Sequence, residues 1–213
     1  LAVRHGESTW NAMGRWQGQA DPDLSELGAR QAFALGRRLA GAGLAAVISS
    51  DLGRALQTAR AIAGPHGLEV EVRPDLRERD VGTWTGLTRA EIVARHPDAW
   101  AQYRAHQDPA IGGGETNRDL HARIAAALEA IVVAADPLSE STTVVVGHGG
   151  TVRAMAYATL GLTLEPGRPM ALTAPANTAV SEIGCDRRGM RLHSYNDTAH
   201  LLDVGSHATA LDS

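Results

Sequence analysis

The chain has 213 residues and a net charge of −4, and its 44% hydrophobic and 21% charged residues are typical of a globular protein with one substantial core. This charge argues against nucleic acid or an anionic membrane as a partner, and no apolar run approaches the roughly 18 residues of a membrane span. The single cysteine, Cys185, excludes an intrachain disulfide and a cysteine-based metal site, and it favours a reducing compartment such as the cytoplasm.

Short runs of apolar and β-branched residues predict the strands, and some of them alternate with period two. The run at residues 142–146 is apolar and β-branched, which indicates a strand covered on both faces. In chain order, the predicted strands lie at residues 1–3, 45–49, 68–72, 142–146, 180–183 and 190–195, the last two as a hairpin.

Helices are predicted where apolar residues recur at helical spacing behind a capping residue. Ser25 and Asp51 are candidate caps of the first two helices, and Thr88 and Thr116 begin capping-box patterns. We expect helices from these four residues to about residues 39, 63, 96 and 134, and a fifth helix at residues 149–160.

This alternation of strands and helices predicts an α/β fold, a three-layer sandwich whose mostly parallel central sheet is flanked by helices. We expect a single domain over residues 1–213, with a small, helical, cap-like insertion near the active site at about residues 94–116. A frayed tail is expected from about residue 205. In sheets of this kind, ligands bind outside the carboxyl ends of the strands.

The reactive residues directly follow three of the predicted strands. The three segments are residues 3–8, 48–54 and 146–150. If these strands are neighbours, Arg4, His5, Arg54 and His148 converge in one crevice at the carboxyl edge of the sheet. Two guanidiniums and two imidazoles in one crevice predict a pocket for a doubly charged anion.

Such a pocket suits phosphoryl transfer, because a neutral imidazole can attack phosphorus while the other groups stabilise the charge on the equatorial oxygens. The sequence contains no lysine, which excludes Schiff-base chemistry and a Walker-type phosphate loop, and we expect neither a metal nor another cofactor. The leaving alkoxide needs a proton donor. Glu7, Glu78 and Asp80 are nearby candidates, and periodicity alone does not distinguish them.

Further motifs make a family resemblance specific. The chain is similar to the histidine phosphatase superfamily, also called the phosphoglycerate mutase-like family, and in particular to its broad phosphatase branch. The motifs are Arg-His-Gly-Glu-Ser at residues 4–8, Leu-Ser-x-x-Gly-x-x-Gln-Ala at 24–32, a second arginine motif at 49–59, a Leu-Arg-Glu motif at 76–86, and segments 113–116 and 146–153. They occur in the family's order and span most of the chain.

The resemblance implies roles for eight residues, without a metal or cofactor. They are His5 as the nucleophile, Glu78 as the proton donor, Arg4, Arg54 and His148 as phosphate-binding groups, and Asn11, Gln17 and the amide of Gly149 as secondary contacts to the phosphate or the substrate. Cores of this family often form homodimers, so a homodimer is a further expectation, although no segment of the sequence identifies an interface.

The resemblance leaves three functions open. The favoured one is a metal-independent phosphomonoesterase that acts on a small phosphorylated metabolite, a sugar phosphate or a phosphoglycerate-type acid, through a phosphohistidine. A cofactor-dependent phosphoglycerate mutase is an alternative, but such mutases carry a longer basic insertion between the proton donor and the second histidine. A non-enzymatic module that binds a phosphoryl ligand is another, and it would usually show an altered histidine or arginine.

Substrate choice is expected to depend on the predicted insertion. This segment contains Trp100, Tyr103, Arg104 and His106, and we expect these four side chains near the mouth of the pocket. The sequence does not choose among the small phosphorylated metabolites.

Overall fold

The computed structural model of the protein describes residues 1–135, 141–202 and 204. Its strands are β1 Ala2–Arg4, β2 Leu44–Ser49, β3 Val70–Val72, β4 Thr142–Gly147, β5 Val180–Asp186 and β6 Gly189–Asp197. They form one sheet in the order β3–β2–β4–β1–β5–β6, in which β1 to β4 are parallel and the β5–β6 hairpin adds two antiparallel strands. The predicted α/β fold with a mostly parallel sheet is confirmed, and the predicted tail from residue 205 lies outside the described residues.

The helices cover both faces of this sheet and extend beyond it near the site. They are α1 Thr9–Ala12, α2 Glu26–Leu39, α3 Gly53–Ala63, α4 Arg89–Arg95, α5 Pro97–Arg104, α6 Asn117–Ala134 and α7 Gly149–Leu160. Across the described ranges, no helix has both the length and the apolar character that crossing a bilayer requires.

The alternation of side chains along each strand divides the core between the two faces of the sheet. One face carries Val3, Val47, Val144 and Val146, which pack with residues of α2 and α3. The other face carries Ala2, Ile48 and Val145, which pack with residues of α6 and α7. Each central strand is therefore covered on both sides, as its apolar composition predicted.

Three of the four predicted helix caps form. Ser25 accepts a hydrogen bond from the amide of Gly28 at 3.0 Å, and Thr88 and Thr116 each complete a capping box. The fourth prediction, that Asp51 caps the second helix, is wrong.

A different side chain serves the start of α3. The residue that precedes the helix is Leu52, and the amide of Gly53 donates to the carboxylate of Asp21 at 2.7 Å. The carboxylate of Asp51 binds the guanidinium of Arg77 instead, with Nε donating at 2.8 Å. A charge-assisted, two-pronged contact of this kind is stronger than a single bond to a neutral amide.

The strand order places the reactive segments side by side. Strands β2, β4 and β1 are neighbours, and their ladders continue past the strand ends, where the amide of His5 donates to Gly147 and the amide of Ser50 donates to Val146, both at 2.9 Å. Because these strands are parallel, the loops that carry His5, Ser50 and His148 leave the sheet at one edge.

The segment predicted as a small helical insertion, about residues 94–116, contains the helix α5 and directly follows α4. An aromatic cluster connects this insertion to the rest of the fold. The ring centroid of the fully buried Trp84 lies 5.4 Å from that of Trp16, 5.9 Å from that of Trp100 and 5.8 Å from that of Tyr103. Edge-on and tilted ring contacts of this kind stabilise beyond their buried area.

Helices α2 and α3 approach each other closely at Gly36. A β-carbon at this position would lie 2.3 Å from the carbonyl oxygen of Ala61. We therefore expect Gly36→Ala to lower the free energy of unfolding by about 1–3 kcal/mol, although alanine has the higher helix propensity by about 1 kcal/mol. Urea unfolding would measure the change. Gly41→Ala, with no atom within 4 Å of the added carbon, is the control, and an unchanged or more stable Gly36→Ala would contradict the prediction.

Candidate active site

The ring of His5 is oriented by two hydrogen bonds. Its Nδ1 lies 2.6 Å from the carbonyl oxygen of Gly6, and because a carbonyl only accepts, Nδ1 carries the proton. Nε2 accepts a hydrogen bond from Nε of Arg54 at 3.2 Å. The side chain is 2% exposed and lines a cavity of about 150 Å³. Nε2 therefore carries no proton, and its one lone pair, which accepts from Arg54 here, is the pair that a nucleophile would use once an anion takes over the Arg54 donor.

The ring of His148 packs against His5, with 5.2 Å between centroids in an edge-to-face arrangement. Its Nε2 lies 2.9 Å from the hydroxyl oxygen of Ser50, whereas its buried Nδ1 has no hydrogen-bond partner in the described part of the chain. If Ser50 donates to Nε2, then Nδ1 carries the proton and is free to donate to an anion. The two histidines therefore share one site, as the sequence predicted.

The guanidiniums of Arg4 and Arg54 are buried and are held by carbonyl oxygens. Arg4 donates to Pro175 at 2.7 Å, and Arg54 donates to Ala20 at 2.5 Å and to Gly18 at 3.0 Å. Within the described residues, Arg54 forms one ion pair, with the half-exposed Asp21 at 3.9 Å. Carbonyl contacts fix the position of a guanidinium without neutralising it, so both charges remain available to an anion.

Burial sets the protonation states of this group. It lowers the pKa of both His5 and His148 well below the ordinary value of 6.5, and the positive charge of Arg54 lowers each pKa further. Burial also lowers the pKa of Arg54, to about 10, and that of Arg4. At neutral pH the imidazoles are thus neutral and the guanidiniums charged, which combines a nucleophile with an anion-binding pair.

The carboxylate of Glu78 lines the same cavity and is held by two backbone amides. The amide of Gly150 donates to Oε2 at 2.9 Å, and the amide of Arg79 donates to Oε1 at 2.8 Å. A β-carbon at residue 150 would lie 2.2 Å from Oε1, so glycine is needed for this close approach. Of the three candidates left open by the sequence, Glu78 lines the cavity, whereas Glu7 and Asp80 do not.

The predicted secondary contacts also line this cavity. The amide oxygen of Asn11 accepts from the backbone amide of Ser8 at 3.1 Å, and that of Gln17 accepts from the hydroxyl of Ser8 at 2.7 Å. With their oxygens engaged in this way, both side chains keep NH₂ groups as donors. Gly149 lies in the first turn of α7, where backbone amides favour an anion.

Seven of the eight predicted site residues thus line one cavity, and His148 joins it through its contact with His5. The structure adds three residues that the sequence analysis did not assign to the site. Arg79 and Arg153 line the same cavity, and Ser50 contacts His148. A sequence signal existed for two of them, because Arg79 follows Glu78 and Arg153 lies four residues after Gly149 on α7, on the same helix face.

A larger cavity of about 500 Å³ adjoins the first, and Tyr103 and Arg153 line both. The other residues of the insertion differ in their placement. His106 lines the larger cavity only, Trp100 packs on Trp84, and Arg104 lines neither. The predicted link between the insertion and the substrate therefore depends mainly on Tyr103.

Comparison with known proteins assigns the family. A sequence profile of the histidine phosphatase superfamily (branch 1) matches residues 1–198. The chain belongs to this superfamily. It is 38% identical over 212 residues to a metal-independent phosphoserine phosphatase of Arabidopsis thaliana, covering 96% of this chain and 84% of the relative. It is 34% identical over 208 residues to a probable phosphoglycerate mutase of Yersinia pestis, covering 93% of each.

A solved structure extends this comparison to the fold. A mycobacterial glucosyl-3-phosphoglycerate phosphatase in complex with VO3 superposes with a TM-score of 0.82 at 34% identity, covering 92% of this chain and 98% of that one. The predicted superfamily and the predicted class of enzyme, a phosphatase acting on small phosphorylated metabolites, are confirmed, and the mutase alternative has less support. The roles of the individual site residues stay predictions.

The lowered pKa values of His5 and His148 predict how the protein responds to acid. Their ring signals should not titrate near about 6.5, the ordinary value. Because each pKa is lower in the folded chain than in the unfolded chain, the unfolded chain binds protons first, and the free energy of unfolding should decrease as the pH falls below about 6.5.

NMR titration of the histidine C2–H resonances would test this prediction, with the two signals assigned from His5→Gln and His148→Gln. The same chain in concentrated urea is the control, and there both midpoints should lie near about 6.5. A midpoint at that value for either ring in the folded protein would show that the prediction is wrong.

Proposed function

We propose that this protein hydrolyses phosphate monoesters of small metabolites through a phosphohistidine on His5, without a metal ion. The observation that carries the proposal is the state of the His5 ring. Its Nδ1 proton is committed to the carbonyl of Gly6, and its Nε2 lone pair points toward Arg54 in a cavity lined by charged guanidiniums. A neutral nucleophile beside fixed positive charge is suited to attack a phosphoryl group.

In the first step, Nε2 of His5 attacks phosphorus, and the bond from phosphorus to the ester oxygen breaks as the N–P bond forms. Arg4, Arg54 and His148 bind the equatorial oxygens, on which negative charge is spread in the transition state. Glu78 gives its carboxyl proton to the leaving oxygen, so the product leaves as an alcohol.

In the second step, a water molecule attacks the phosphohistidine, the N–P bond breaks, and inorganic phosphate forms. The carboxylate of Glu78, now without its proton, takes one from the attacking water and returns to its initial state. The two amides of Gly150 and Arg79 keep the carboxyl group in one position for both transfers. The net reaction consumes one ester and one water and releases one alcohol and one phosphate.

We assign the two adjoining cavities to different parts of the substrate. The smaller cavity, with the residues assigned to phosphate, accommodates the phosphoryl group, and the larger cavity beyond Tyr103 and Arg153 accommodates the rest of the molecule. The relatives named for phosphoserine and for glucosyl-3-phosphoglycerate make small phosphorylated metabolites of this kind the class to test first. A cytoplasmic location and a homodimer remain part of the proposal.

Removal of the nucleophile should abolish turnover. We expect His5→Ala to lose hydrolysis of p-nitrophenyl phosphate measured with EDTA present, whereas the wild type retains full activity under the same conditions. Rapid quenching of the wild type should also reveal acid-labile, alkali-stable phosphate on the protein, which His5→Ala should lack.

His193→Ala, which removes an imidazole from the half-exposed β5–β6 hairpin, is the matched control and should keep the wild-type rate. Undiminished turnover in His5→Ala would refute the nucleophile. Exchange of phosphate between 2- and 3-phosphoglycerate without release of inorganic phosphate would favour the mutase instead.

The proton donor can be tested through the leaving group. Glu78→Gln should lower the rate by about 10²–10⁴ with an alkyl phosphate, whose alkoxide needs a proton, and by much less with p-nitrophenyl phosphate. Asp80→Asn is the control, because that carboxylate accepts from the amide of Gly82 and does not line the cavity. Equal losses of rate for the two substrates in Glu78→Gln would remove Glu78 from this role.

A further inference from the structure

Two buried arginines of the smaller cavity have no part in the proposed chemistry. Arg79 and Arg153 are each 7% exposed, and both line the cavity that holds His5 and Glu78. Within the part of the chain that the structure describes, Nη1 of Arg79 and Nε of Arg153 are buried without a hydrogen-bond partner. Over residues 1–135, 141–202 and 204, no carboxylate oxygen lies within 4.0 Å of either guanidinium.

The charges of the cavity are out of balance even with a phosphate bound. Arg4 and Arg54 match a phosphoryl dianion, and a fifth arginine of the lining, Arg15, is paired with Glu91 at 3.2 Å. Glu78 is the one carboxylate among the lining residues, so Arg79 and Arg153 keep at least one positive charge without a counterpart. Burial of an unpaired guanidinium is costly, and an anionic ligand group would offset that cost.

The two arginines lie next to the phosphate-binding residues, where the rest of a bound substrate would extend beyond its phosphoryl group. Arg153 lines both cavities, and its Nη2 is 3.5 Å from the amide oxygen of Asn117, a long contact that leaves its other donors free. Burial lowers the pKa of Arg79, and the charge of Arg153 lowers it further, as expected for two guanidiniums that share one region. Both side chains therefore lie among the residues that line the cavity beside the proposed phosphoryl position.

We propose that Arg79 and Arg153 form a second anion-binding subsite, which selects phosphate esters that carry a carboxylate near the ester oxygen. This inference rests on the proposed phosphatase function and specifies its substrate class. A carboxylate fits better than a second phosphate for two reasons. It is planar and matches the fork of a guanidinium, and its single charge matches the small surplus better than a dianion does.

A pair of substrates that differ only in this group provides the test. In glycerol phosphate, the carboxylate of 3-phosphoglycerate is replaced by a neutral CH₂OH group, and the phosphate ester is unchanged. Hydrogen bonds to a charged group contribute about 1.5–3 kcal/mol, so we expect the wild type to prefer 3-phosphoglycerate by about 10- to 100-fold in kcat/KM. A wild type without this preference would overturn the proposal, and this measurement needs no variant.

Variants then assign the preference to the two side chains. Arg79→Met and Arg153→Met keep a long side chain without its charge, and the ratio of kcat/KM between the two substrates should fall toward one. Arg60→Met is the matched control, because Arg60 is exposed on α3 and lines neither cavity, and it should keep the wild-type ratio. A ratio that stays at the wild-type value in both cavity variants would overturn the assignment. Arg→Gln at each position, which also removes the charge, provides the same test if a Met variant does not fold.

Further measurements separate this inference from the proposed function. Wild-type turnover of p-nitrophenyl phosphate tests the phosphatase alone, because that substrate has no carboxylate. Calorimetry with His5→Ala measures binding of 3-phosphoglycerate and glycerol phosphate without turnover, and the tighter binding of 3-phosphoglycerate should be lost when Arg79→Met or Arg153→Met is added. A preference for 2,3-bisphosphoglycerate over 3-phosphoglycerate that the same variants abolish would assign the subsite to a second phosphate and overturn the carboxylate.

Discussion

The site depends on a group of arginine side chains that are buried, away from water, at the carboxyl edge of a parallel sheet. Arg4, Arg54, Arg79 and Arg153 each expose less than a tenth of their surface. Their burial is unfavourable by itself, and the carbonyl oxygens that hold Arg4 and Arg54 compensate only in part, because they do not cancel the charge. A bound anion supplies what is missing, so ligand binding and the stability of the folded chain are coupled.

The same buried charge supports the proposed role of His5 as a nucleophile. An imidazole beside a guanidinium in a dry site loses its proton readily, and the carbonyl of Gly6 determines which ring nitrogen keeps the remaining one. The second imidazole, on His148, is held by Ser50 from the neighbouring strand end. Anion binding and nucleophilicity thus have one physical origin, the exclusion of water around fixed positive charge.

Local signals in the sequence predicted the fold and most of the site. Period-two runs, capping residues and the rule that ligands bind at strand ends together placed Arg4, His5, Arg54 and His148 at one edge. What the sequence did not predict depends on partners distant in the chain. Asp51 is a residue type that often caps helices, but it binds Arg77. The first amide of α3 instead donates to Asp21, which lies 32 residues earlier in the sequence. Arg79 and Arg153 lie close in sequence to residues that were assigned to the site, but their burial in one cavity depends on the fold.

The position of β1 in the sheet has a consequence for how the protein acquires activity. His5, the proposed nucleophile, directly follows this strand, yet the neighbours of the strand come much later in the chain: Ala2 pairs with Val145 on one side and with Ser181 on the other. During synthesis, the first strand therefore emerges from the ribosome long before either partner exists. The imidazole of His5 can therefore meet His148 only after β4 has been translated, so a chain that ends before residue 142 would lack the proposed site.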